Sequence, residues 1–246
     1  MAQLLFYERP VPLNKDRHRT LAIRPADNLY GFSRVTNSVM LAGVEFVHAA
    51  KEYCIVFTRA GDLVIPVALL GLRNDENLYV DGENRWDAHY VPAFIRRYPF
   101  ILAGSGTDDG QKTVCIDETF AGFDQKEGRR LFDDAGEPTD FLNSAIKFLQ
   151  DYQGQYRRTE VFVNRLRDLD LFTDLNAQAQ LPGGQKLHMG GLLGVDENKL
   201  LQLEKNKALE LFRSGELSWV YAHLLSMGNM QRLGERLIKK EQAGRA

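Results

Sequence analysis

Tyr53-Cys54-Ile55-Val56-Phe57-Thr58, Ala60-Gly61-Asp62 and Leu63-Val64-Ile65-Pro66-Val67-Ala68-Leu69-Leu70-Gly71-Leu72 carry the strongest structural signal in the chain. The first run is β-branched and aromatic, the middle supplies a glycine turn, and the second run is apolar again. Together they read as a β-hairpin. Pro66 removes a ladder donor, so the second strand is expected at a sheet edge or bulged at that point.

On the N-terminal side, residues 9–24 begin extended on their prolines and offer a first strand at Thr20 to Arg24. On the C-terminal side, Asn77 to Val80 reads as a strand, Asp81 to Asn84 as a turn, and Glu83 to Trp86 as the start of a return strand. Val91 to Phe100 reads as a short helix with Pro92 at its first position and Pro99 ending it. Phe100 to Ala103 and Lys112 to Asp117 flank a polar loop and form a second hairpin. From residue 138 the period changes. Phe141, Leu142, Ala145, Ile146, Phe148 and Leu149 have helical spacing in a helix over Asp140 to Tyr156, capped by Thr139 or Asp140. Thr159 to Asp174 has no clear pattern, and Gln185 to Val195 reads as a strand pair or a bulged strand. Asp196 caps a helix running to Arg213 and stopped by Ser214-Gly215. A last helix over Leu217 to Lys240 carries one apolar stripe.

The expected fold is α+β. A mostly antiparallel sheet from residues 1–132 packs against helices from residues 138–240. One composite domain is expected because the connection at 133–139 is short, with a disordered tail at 241–246. The last helix either docks on its own chain or builds a homodimer.

With 246 residues and 44% hydrophobic content, the chain can bury a sizeable core. A net charge of −2 gives no support for nucleic-acid binding. No window approaches a membrane span, and the N-terminus lacks the features of a signal peptide, so cytoplasmic residence is the expectation. Cys54 and Cys115 sit inside apolar runs and read as buried free thiols.

Motifs for chemistry are sparse, and no cofactor is expected. His18, His48, His89, His188 and His223 never fall three or four residues apart, so no helix presents a ready metal face. Asp87 and His89 share a face if extended. With a distant His223 or His188 they would make a facial triad for non-haem iron. The plainer reading makes His89 a loop residue beside Trp86 and Tyr90. His223 lies three residues before Ser226, yet no Gly-x-Ser-x-Gly accompanies them, and a hydrogen-bonded core histidine is the simpler account. Gly190-Gly191-Leu192-Leu193-Gly194 matches neither a P-loop nor a dinucleotide fingerprint and reads as a glycine-bulged strand. Residues 108–140 carry ten acidic against four basic side chains, read as a solvated acidic face.

The richest segment is Trp86-Asp87-Ala88-His89-Tyr90-Val91-Pro92-Ala93-Phe94-Ile95-Arg96-Arg97-Tyr98-Pro99-Phe100. Neighbouring residues on a helix diverge by about 100°, so at most one of Arg96 and Arg97 faces the core. Aromatic rings with arginine are what binding surfaces use. The candidate binding residues are therefore Trp86, His89, Tyr90, Arg96, Arg97 and Tyr98, against the plainer alternative of a core helix with aromatic anchors.

This segment, together with Pro66-Val67-Ala68-Leu69-Leu70-Gly71-Leu72, Asn77-Leu78-Tyr79-Val80, Cys115-Ile116-Asp117, Leu131-Phe132-Asp133 and Tyr221-Ala222-His223-Leu224, resembles the bacterial SapC family over nearly the whole chain. The resemblance implies a link to a surface layer, and to gene neighbourhoods holding halogenase-like flavoproteins and TonB-dependent receptors. It implies no catalytic residues. It is distinct from a peptide-transport permease of similar name. Three readings follow: a non-enzymatic binding or accessory protein for a protein or small ligand, a metal-dependent oxygenase-like enzyme using Asp87, His89 and His223, and a structural surface-layer component.

Overall fold

The computed structural model describes residues 5–104, 112–180 and 186–243. The strands are β1 (Pro10–Pro12), β2 (Ala22–Ile23), β3 (Ser38–Met40), β4 (Ile55–Ala60), β5 (Leu63–Leu69), β6 (Phe100–Ala103), β7 (Thr113–Asp117), β8 (Phe123–Asp124), β9 (Arg129–Arg130), β10 (Phe172–Gln180) and β11 (Lys186–Val195). The helices are α1 (Phe46–Ala49), α2 (Ala93–Arg96), α3 (Asp140–Asp168), α4 (Glu197–Leu201), α5 (Lys205–Arg213), α6 (Glu216–Ser226) and α7 (Asn229–Ala243). The fold is α+β.

β4 and β5 form the expected hairpin, with Ala60 opposite Leu63 and Gly61 turning at φ 61°. β5 is not an edge, however. It lies inside a five-stranded sheet of order β10-β11-β4-β5-β3. Pro66 is tolerated because its carbonyl, and hence its donorless nitrogen, faces the end of β3, where the last pair is Met40 with Val67. That carbonyl accepts from Leu41 N at 3.1 Å. β6 and β7 form the second hairpin, and β1 adds to β7. β10 and β11 pair with a bulge between Leu175 and Ala177, and Gly191 takes φ 74°, so the glycine run is a bulged strand.

Asn77 to Val80 does not form the expected strand. The Asn77 side chain accepts from Tyr79 N at 2.8 Å and donates to Ser33 O at 3.0 Å, replacing ladder bonds. Only an isolated pairing of Val80 with Trp86 remains.

Thr139, not Asp140, caps α3, accepting from Leu142 N. The helix continues through the ambiguous stretch to Asp168 because Phe162, Val163 and Leu166 extend its apolar stripe into the core. Its first half, at Leu142 and Leu149, packs on Phe100, Ile116, Leu131 and Phe132. Its second half joins Phe46, Phe57 and Trp219 over the five-stranded sheet.

The two C-terminal helices expected from periodicity are each broken in two. Glu204 turns extended before α5. Asn229, which donates to Ala50 O at 2.7 Å and Tyr53 O at 2.9 Å, redirects the chain between α6 and α7. Residues 241–243 are helical rather than a loose tail, and Glu241 pairs with Arg73. Residues 244–246 lie outside the described part.

Cys54 and Cys115 are buried free thiols. Burial pushes the Cys54 thiol up to about 12. No helix among the described residues is long and apolar enough to cross a membrane.

Candidate binding site

Two acidic side chains position the segment from Trp86 to Phe100. Glu45 is 5% exposed and ends a short 3-10 turn. It accepts from Ala42 N at 2.9 Å in its own turn. Across the chain it accepts from Ala93 N at 2.7 Å and the Tyr90 hydroxyl at 2.8 Å. Glu52, just past α1, accepts from His89 N at 2.9 Å and Tyr90 N at 2.8 Å. Burial alone would raise the Glu52 carboxyl, but these N–H groups and the nearby His89 ring hold it below its ordinary value. Residues 89–93 are thus clamped to the turn and helix at 43–52, which fixes where α2 begins. Pro92 caps α2 in an extended conformation instead of entering it.

The predicted binding residues divide into two groups. Trp86 and Tyr90 face inward. The Trp86 Nε1 donates to the Tyr53 hydroxyl at 2.9 Å, and that hydroxyl donates to the Tyr90 carbonyl. The Trp86 ring stacks on Tyr79 with centroids 6.2 Å apart. His89 is fully exposed, with Nδ1 3.1 Å from Glu52 Oε1. It lines a separate surface hollow with His48, Lys51 and Arg232.

Arg96, Arg97 and Tyr98 do come together, on a cleft of about 400 Å³ between the end of α2 and the first half of α3. Its apolar lining includes Phe100, Phe120, Phe141, Ala145, Phe148 and Leu149. Its rim carries Arg96, Arg97 and Arg129, and no lining residue is acidic. As adjacent helical positions require, the arginines diverge: Arg96 is exposed and Arg97 half-buried. Each guanidinium lies over a ring. Arg96 is 5.0 Å from the Phe148 centroid, Arg97 3.9 Å from Phe94, and Arg129 5.7 Å from Phe141. Among the described residues, none of the three pairs with a carboxylate. Arg85, Arg130, Arg165 and Arg236, by contrast, all do. Tyr98 is fixed from behind, stacked on Phe32 at 4.0 Å and donating to Asp117 at 3.2 Å.

Arg129, Phe141, Ser144, Ala145 and Phe148 were not singled out by sequence. The half-buried stripe Phe141, Ala145, Phe148 beside an arginine pair was the available signal, but its period is that of a core stripe.

The facial triad is not assembled. His223 is 1% exposed beneath the sheet. Its Nε2 accepts from Val195 N at 3.0 Å and its Nδ1 donates to Ile55 O at 2.8 Å, leaving no lone pair for a metal. Asp87 pairs with Arg236 at 2.6 Å. The His188 side chain lies outside the described residues. Ser226 likewise serves the backbone, accepting from Ile55 N at 2.9 Å. The acidic face is also partly structural. Asp117 is fully buried and accepts from Glu8 N, Arg9 N and Thr119 N, while Glu118 pairs with Arg9 and Arg17. Asp108 and Asp109 lie outside the described residues.

The SapC family model matches residues 13–233. The chain belongs to the SapC family. In this SapC-family chain the match spans every residue of the cleft. Comparison with curated proteins and with solved structures returned no match.

Proposed function

We propose that this SapC-family protein is a non-enzymatic binding or accessory protein that recognises its ligand at the cleft between α2 and α3. One observation carries this reading. A concave, largely apolar surface of ligand size is ringed by arginines that the fold leaves without acidic partners. Arginine beside accessible aromatic rings is the composition that binding hot spots use. The bonds from buried Glu45 and half-buried Glu52 fix residues 89–93, the stretch leading into the cleft wall, which lowers the cost of ordering on binding. The same reading takes the chain as one composite domain, with α3 as the shared wall of the two largest apolar clusters. It sets the protein beside the surface-layer or nutrient-uptake systems that the family resemblance implies.

A ligand-observed magnetic-resonance screen of fragment-sized compounds tests it, run on wild type and on Ser144→Trp. Ser144 is exposed and lines the cleft, so the indole blocks the site without entering the core. Hits that the variant loses, at unchanged thermal stability, support the proposal. An empty hit set, or the same hits on both proteins, refutes it.

A further inference from the structure

We infer that the ligand of this cleft is a small apolar organic anion, a hydrophobic body bearing one carboxylate or sulfonate group. The inference rests on the cleft being a binding site. It follows from the two halves of the lining. The floor is made of Phe100, Phe120, Phe141, Phe148 and Leu149, which gain only from contact with apolar surface. An inorganic anion would leave those rings wet. The rim is made of Arg96, Arg97 and Arg129. A neutral apolar ligand would bury part of that rim with its donors unmet.

The charge pattern is specific to this place. The chain as a whole is slightly acidic, yet three arginine side chains line this one cleft with no acid among the lining residues. No carboxylate of the lining competes for them, so an anion entering the cleft meets only positive side chains. Arg96 Nε donates to the Val91 carbonyl at 2.9 Å, and ring contacts hold the planes of all three guanidinium groups. The Nε of Arg97 is enclosed and has no acceptor, so this side chain is held by rings rather than by an anion of the protein. Arginine's planar fork suits a carboxylate or sulfonate held by paired hydrogen bonds. A cleft of about 400 Å³ limits the body to a drug-sized molecule, not a folded partner.

Two fluorescent probes with the same rings separate the ideas: anilinonaphthalene sulfonate, which is anionic, and N-phenylnaphthylamine, which is neutral. Both are titrated into wild type, Ser144→Trp and the double variant Arg96→Gln with Arg129→Gln. Arg96 and Arg129 are exposed, so the double variant should keep its fold, checked by its thermal melt. Wild type should bind the sulfonate roughly tenfold or more tighter than the neutral probe, the gain expected of one charge-assisted hydrogen bond. The double variant should lose that preference while still binding the neutral probe, and Ser144→Trp should weaken both. Equal binding of the two probes to wild type, lost in Ser144→Trp, overturns the anionic ligand and leaves the cleft as a site. Binding unchanged by Ser144→Trp, or absent, overturns both.

Discussion

Acidification should destabilise this protein through one histidine before its carboxyl groups are protonated. His223 is buried between β4 and β11, and that burial lowers its pKa from 6.5 to about 4. A proton on Nε2 would place a donor against the Val195 N–H as well as charging a buried ring. The unfolded chain takes up this proton near 6.5, whereas the folded chain resists it until about 4. Stability from this group is therefore complete above 6.5 and is lost as pH falls from 6.5 to about 4. That difference, at about 1.4 kcal/mol per pH unit, amounts to about 3 kcal/mol, of which about 2 kcal/mol falls between pH 6.5 and 5. Glu52 and Asp117, held below their ordinary values, add their losses only at lower pH. The assay is urea unfolding at a series of pH values on wild type and His223→Gln. Glutamine can accept from Val195 and donate to Ile55 without titrating. The variant should show a shallower slope from pH 6.5 to 5. Identical slopes in the two proteins would refute the reasoning.

Glu45→Ala orphans two backbone N–H groups and the Tyr90 hydroxyl. It should cost about 3–5 kcal/mol by chemical denaturation, and a loss under about 1 kcal/mol would contradict the clamp. Glu45→Gln keeps one acceptor oxygen and should cost less. Thr139→Ala removes the cap of α3 and should lower stability by about 1 kcal/mol on the same assay. In the native protein at neutral pH, Cys54 should resist a disulfide thiol reagent until the chain is unfolded, and rapid labelling would contradict its burial.

Local signals were read well where local chemistry governs. The β4–β5 hairpin follows from alternating branched residues around a glycine turn. The caps at Thr139 and Asp196 follow from side chains short enough to reach the first helical N–H groups. The misses share a cause, which is polar side chains acting over long separations in sequence. Asn77 replaces strand bonds with its own amide, and Asn229 breaks a helix by reaching Ala50 and Tyr53. Pro66 sits inside a sheet because of where β3 ends, a fact of pairing and not of the strand itself. At the proposed cleft, residue type alone pointed to Arg96, Arg97 and Tyr98, which the fold brings to one lining. It also drew in Trp86 and Tyr90, whose rings look equally suited to a surface until Glu45, Glu52 and Tyr53 are seen to hold them inward. The opposite wall of the cleft on α3 was hidden, because a helical stripe lining a cleft and one lining a core have the same period.

The most direct test of the site is a map of backbone amide shifts as phenylbutyrate, a small apolar carboxylate, is titrated into the isotope-labelled protein. Perturbations should concentrate at Arg96 to Phe100, at Arg129 and from Phe141 to Leu149. Shifts centred instead on His48, Glu52 and His89, or no saturable shifts at all, would contradict the account.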